Sequence, residues 1–290
     1  MAFKSIQTSI NRFLRISFYY VIDLLQRYFC LDKLSPYELS GNLAQSSSFR
    51  FYKYCKISVP FLLGRSVRGL RFSRVSENDF FSKLVADVIC DKDLTNLSRD
   101  LFNNYSKYLS LTSADIVSLS SNKTLSRFPA WALVLPWESQ TIEDKFHKYI
   151  DTFVENRSAN GFIFDSIDLY SDINSLLYSY LGASTQVYQT HKLYQSFKKY
   201  GILNTTELPI IDILVQDSKW RWMMSCSGNH RSYILFHMGY DSFQSRIGRV
   251  INRKSAKSWP NVINGLYTIH EAEYIFDKAF EGLVPIRGVV

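Results

Sequence analysis

The stretch Met223-Met-Ser-Cys-Ser-Gly-Asn-His-Arg-Ser-Tyr-Ile-Leu-Phe-His-Met-Gly-Tyr240 decides how this chain is read. Its opening residues read as a strand that runs into a turn at Ser227-Gly228-Asn229-His230-Arg231. From Arg231 to Met238 the pattern is helical, and Gly239 ends it. A strand that turns directly into a helix leaves the first helical N–H groups without partners, and such groups favour an anion. Gly228 permits a sharp turn and a close approach of backbone to ligand. Arg231 offers a fork of donors to phosphate oxygens. His230 adds a donor, or a proton acceptor when neutral. Small, polar and cationic residues at a helix start have the chemistry of a phosphate cradle. An ordinary strand–turn–helix with a surface arginine fits the same pattern.

Upstream, residues 191–200 read as a helix headed by His191 and capped by Gly201, and residues 210–215 and 220–224 read as strands. Downstream, residues 243–251 read as a strand broken at Gly248. Further back, Trp131-Ala-Leu-Val-Leu135 is a short apolar run ended by Pro136, hence a buried strand, with Glu138 just beyond it. Residues 142–154 are helical, Asn160-Gly161 marks a turn, and Leu176-Leu177 falls in a short helix ending near Gly182. Before that the chain is mainly helical, with helices over 80–90 and 94–109 and a helix start at Thr112-Ser113-Ala114-Asp115. The fold class is therefore α+β. A basic, mainly helical region over 1–125 precedes a small α/β module over 126–251, and a helical extension over 252–290 packs on that module.

The residues of the turn resemble a family signature. Gly228-Asn229-His230-Arg231, followed by Ile234-Leu235 and Gly239-Tyr240, is similar to the G-x-H-R motif of the ParB/sulfiredoxin-like superfamily. The run from His191 to Ile202, then Pro209-Ile210 and a strand, is similar to that family's helix, its "G-I" element and its second strand. Leu135-Pro136-Trp137-Glu138 resembles its opening strand and the glutamate after it. The resemblance covers about residues 128–250 and points to the kinase-like branch. It implies a nucleotide-handling module, with ATP or CTP phosphates on the G-x-H-R turn. Ser227, Gly228, Asn229, His230, Arg231 and His191 would then hold the phosphates. Glu138 and His230 would be catalytic, with Glu138 a general base or a ligand of Mg2+. Sulfiredoxins carry a reactive cysteine directly before the His-Arg pair. Asn229 stands there, so sulfinic acid reduction is not expected. Ser227 replaces the Asp usual in kinase-like members.

Arg157, Arg246 and Arg249 are the candidate contacts to an anionic substrate. The expected function is ATP-dependent phosphate transfer to a hydroxyl of a small molecule or glycan. The alternatives are a ParB-like nucleic-acid-binding module and a non-catalytic nucleotide-binding regulator.

Charge patterning bears on these alternatives. The chain carries +8 overall, with 34 Lys+Arg against 26 Asp+Glu in 290 residues. Twelve of the basic residues and only three of the acidic ones fall in the first 75, so the rest is balanced at 22 against 23. A nucleic-acid reader normally concentrates cations on its reading domain, so nucleic acid is the less favoured partner. The excess belongs to an amphipathic leader over residues 3–29. Phe3, Ile6, Ile10, Phe13, Phe18, Val21, Ile22 and Leu25 lie on one side of it, and Arg12, Arg15, Asp23 and Arg27 on the other. Such a stripe fits either packing on its own domain or an in-plane position on a membrane surface. No run of about 20 apolar residues and no cleavage signal is present. The four cysteines form no CxxC pair, which excludes a zinc ribbon and a disulfide-dense module. The expected location is cytoplasmic, peripheral to the inner membrane face if the leader lies on lipid.

Overall fold

The structure, a computed structural model, describes residues 56–66, 69–72, 79–106, 111–158, 180–201 and 208–283. The leader over 3–29, the turn at Asn160-Gly161 and Leu176-Leu177 lie outside the described residues.

Among the described residues, five strands form one mixed sheet. β1 (Lys56–Pro60), β2 (Gly64–Arg65), β3 (Ile210–Gln216), β4 (Lys219–Ser227) and β5 (Ser242–Asn252) lie in the order β1-β5-β3-β4-β2. β3 pairs antiparallel with β4 and parallel with β5, and β1 runs antiparallel to β5. β2 adds two residues, parallel to β4. The two outer strands are joined by only three residues, Phe61–Leu63. That link reaches about 14 Å at most. The sheet must therefore curl until its edges nearly meet. Trp222 ties the seam, its Nε1 donating to Pro60 O at 2.7 Å.

Alternation along the strands sorts side chains to the two faces. Ile57, Val59, Ile211, Ile213, Val215, Trp222, Met224, Phe243 and Ile247 fill the concave side with Phe61. Leu214, Met223 and Ile251 face outward, where Trp137, Trp259, Tyr267 and Phe276 cover them. A third cluster joins α1 (Phe80–Ile89), α2 (Leu94–Ser106), α5 (Tyr180–Tyr200) and α6 (Asn229–His237). The other helices among the described residues are α3 (Ser113–Ile116), α4 (Ile142–Ser158), α7 (Pro260–Ile263) and α8 (Ile269–Glu281).

Several expectations hold as stated. Thr112 and Asp115 form a capping box, Gly201 ends α5 at φ 70°, and β5 changes register beside Gly248. Others are corrected. The expected strand over 131–135 is a 3-10 turn, Ala130–Ala132, followed by irregular chain. Pro129 and Pro136 bracket it and offer no N–H to a ladder. Side chains take its carbonyls instead: Tyr267 Oη donates to Val134 O at 2.6 Å, Asn261 Nδ2 to Leu135 O at 3.1 Å, and Lys145 Nζ to Leu133 O. No helix ends at Gly182. That glycine lies inside α5, and His191 is mid-helix rather than at a helix head. The packing is continuous across position 125/126. Residues 56–65 supply both edges of the sheet, and α1 and α2 pack on α5 and α6.

The end of α8 shows how tightly the basic region is built in. Arg65, 1% exposed, donates from Nε to Ala279 O (3.1 Å) and Phe280 O (3.0 Å), from Nη2 to Phe280 O (2.5 Å) and from Nη1 to Gly64 O (2.7 Å). Arg71 Nε reaches Glu281 O at 2.7 Å. They thereby satisfy Phe280 O and Glu281 O, which the last helical turn leaves open. Burial, together with Arg221 and Arg71 nearby, pulls the Arg65 guanidinium down to about 10, so it is still charged at neutral pH.

Candidate functional site

β4 passes into α6 through Gly228, which sits at φ 93°. A side chain there would meet Pro209, since an added Cβ falls 2.4 Å from the proline Cβ. The glycine is thus required by the left-handed turn and by Pro209 rather than by a ligand. Ser232 N closes the first turn on Gly228 O at 2.9 Å. The start of α6 faces α5 across a cleft of about 260 Å3, lined by Gly228, His230, Arg231, Gln189 and Leu193.

His230 is partly buried, its ring edge-on to Phe81 with centroids 4.9 Å apart. Its Nε2 lies 2.9 Å from Gln186 Oε1. Burial holds the imidazole below its ordinary range, which favours the neutral ring. Asn229 Oδ1 is buried and makes no hydrogen bond within the described residues. Ser227 closes β4, paired with Ile210; its side chain lies outside the described residues.

The other expected residues are elsewhere. His191 points to Gln195 (Nε2 to Nε2, 3.2 Å) and does not line the cleft. On an α-helix it stands about 200° round from Gln189. Glu138 belongs to the loop packed against the outer face of the sheet. Its Oε2 accepts from Leu135 N at 3.0 Å and from Lys145 Nζ at 3.3 Å, and Asn261 Nδ2 donates to its carbonyl at 2.9 Å. A carboxylate held by an ammonium and a backbone N–H is poorly suited to ligate Mg2+, which wants oxygen ligands free of such donors. Among the described residues no group of three or more His, Cys, Asp or Glu gathers into a metal site. Arg246 is buried in β5 opposite Lys56. Arg249 donates from Nε and Nη2 to Asp212 Oδ2 at 3.1 and 2.5 Å. Arg157 falls near the end of α4, its side chain outside the described residues.

The sequence reading missed Gln186, Gln189 and Leu193. Their spacing of three and four residues places them on one helical face, a signal visible only once α5 is known to run unbroken through Gly182. Asp212 was missed as well. It is fully buried, and the pull of burial outweighs Arg249, so its carboxyl is pushed up. No family model matches this chain, and no curated protein or solved structure matches it.

Proposed function

We propose that the start of α6 binds the phosphate end of a nucleotide, and that the protein is an ATP-dependent phosphotransferase acting on a hydroxyl of a small molecule or glycan. The reading rests on one observation: Gly228, His230 and Arg231 meet at a helix start and open onto a shared cleft. The order β3, β4, α6, β5 is compatible with a ParB/sulfiredoxin-like module, which is part of the same proposal. In phosphoryl transfer the protein mainly positions and neutralises charge, and Arg231 is the cation on hand. The cleft is small beside the ~300–1,000 Å3 of typical ligand sites, so it suits the phosphates rather than a whole nucleotide. No step is assigned to Mg2+ on Glu138.

Calorimetry with ATP, ADP and CTP tests the reading. ATP should bind the wild type, and Arg231→Ala should weaken it at least ~10-fold, the worth of one charge-assisted hydrogen bond. No binding, or equal binding by the variant, would sink the idea.

The pairing of Glu138 with Lys145 favours a second reading, a nucleotide-binding regulator without turnover. Glu138→Gln should then leave every ATP-dependent readout unchanged. A nucleic-acid role has less support, because basic side chains after the turn are engaged in ion pairs: Arg249 with Asp212, Arg253 with Asp277 and Glu273, and Lys254 with Asp217. Among the described residues no helix is long and apolar enough to cross a membrane. A cytoplasmic location and contact of residues 3–29 with a lipid surface remain part of the proposal.

A further inference from the structure

The hydrogen bond between α5 and α6 sets the chemistry that His230 can offer. A carboxamide oxygen has no hydrogen to give, so across the 2.9 Å between His230 Nε2 and Gln186 Oε1 the imidazole must be the donor. A neutral imidazole carries one N–H, and Gln186 takes it. Nδ1 is then left with its lone pair. A lone pair repels phosphate oxygens, so this ring does not serve the cradle as a donor.

We propose that Gln186 is a positioning residue that fixes His230 as the Nε2–H tautomer, so that Nδ1 is the proton acceptor of the cleft and His230 is the base for the acceptor hydroxyl. The inference rests on the phosphotransferase reading above. It also fills the role that Glu138, held by Lys145 and Leu135 N–H, does not fill. In the step, the acceptor oxygen forms a bond to the γ-phosphorus. The bond from that phosphorus to the bridging oxygen breaks, and its electron pair leaves with ADP. The hydroxyl proton passes to Nδ1, and the imidazolium later returns it to water. Arg231 and the N–H groups of the helix start face the phosphate.

The surroundings keep the ring neutral. From α1 it meets Phe81, and Asp79 at that helix's cap is held by Tyr233 Oη and Ser82 N. From α5 it meets Gln186; His191 on that helix is turned toward Gln195. Arg231 follows it on α6. Burial accounts for the lowered imidazole, with no charged neighbour contributing.

Nitrogen-resolved NMR of the histidine rings tests the tautomer directly on the full chain, without nucleotide. Wild-type His230 should show a protonated Nε2 and a pyridine-like Nδ1. Gln186→Leu should give a mixture of tautomers. Gln186→Glu puts a carboxylate on Nε2 and should raise the ring's titration midpoint by about one pH unit or more. In single turnover with ATP, the acidic limb set by His230, where the rate rises as the ring loses its proton, should move to higher pH by the same amount. Gln186→Leu should lower the rate at least ~10-fold while ATP affinity stays within about twofold. A wild-type ring protonated at Nδ1, or a pH profile that Gln186→Glu does not move, would overturn the proposal. Absence of ATP binding would overturn the reading beneath it and the base role with it, and calorimetry shows that separately from the NMR.

Discussion

Replacing Arg65 by alanine should lower stability by about 3–5 kcal/mol, the range for leaving several buried acceptors unsatisfied at once. Arg65 is fully buried and answers the carbonyls of Gly64, Ala279 and Phe280. Without it, the oxygens of Gly64 and Phe280 lose the guanidinium, Ala279 O is left with the Gly282 N–H alone, and β2 loses its tie to α8. Water enters poorly, because Phe276 and Phe280 stack beside the site at 5.8 Å and Gly282 already abuts Arg65 and Arg71. At about 2–4 °C per kcal/mol for a chain of this size, the melting temperature should fall by roughly 10 °C. Arg65→Lys should recover only part of the loss, since an ammonium cannot reproduce the planar fork. Urea unfolding monitored by Trp fluorescence measures both. A loss under about 1 kcal/mol for Arg65→Ala would mean that the α8 carbonyls find other donors.

Arg249→Ala should be comparably damaging at neutral pH, and its effect should depend on pH. Asp212 is fully buried and its Oδ1 has no partner within the described residues, so Arg249 is the group that balances its charge. Removing one partner of a buried pair costs about 3–5 kcal/mol when the survivor stays charged. The survivor here can take up a proton. Asp212 already titrates above its ordinary range because of burial, and losing Arg249 raises it further. For an acid whose folded pKa lies above the unfolded value of about 3.9, stability is greatest below that value and falls as pH rises through the folded pKa. The variant should therefore lose most at pH 7.5 and regain stability on acidification toward pH 5. Adding Asp212→Asn should flatten that slope. Urea midpoints across the pH range check this, and a pH-independent loss would mean that Arg249 acts through packing alone.

The elements that could be read from sequence share one property: their signals are local. β3 is nearly all apolar, β5 carries its break at Gly248, and Thr112 and Asp115 announce a capping box within four residues. β1 has a readable pattern too, with Ile57 and Val59 inward and Ser58 outward, but it lies in a basic region whose spacing otherwise predicts helices. The 131–135 run shows the opposite failure. Its apolar composition suited a buried strand, whereas its carbonyls are satisfied by Tyr267 and Asn261 from more than 120 residues away. The site divides the same way. Gly228, His230 and Arg231 are consecutive or nearly so and were legible as a turn. Gln186 faces His230 only because α5 lies across the cleft, and nothing in either local sequence announces the pair.

The three-residue link that closes the curled sheet has a consequence during synthesis. β1 waits for a partner that follows about 190 residues later, as the pairing of Lys56 with Arg246 shows. At ~5–20 residues per second the delay is about 10–40 s. A lone strand with open backbone groups invites pairing with another chain in that interval. Lys56 and Pro60 bracket β1 with a charge and a missing N–H, two features that discourage edge-to-edge association. The nascent chain thus carries its own protection until β5 emerges.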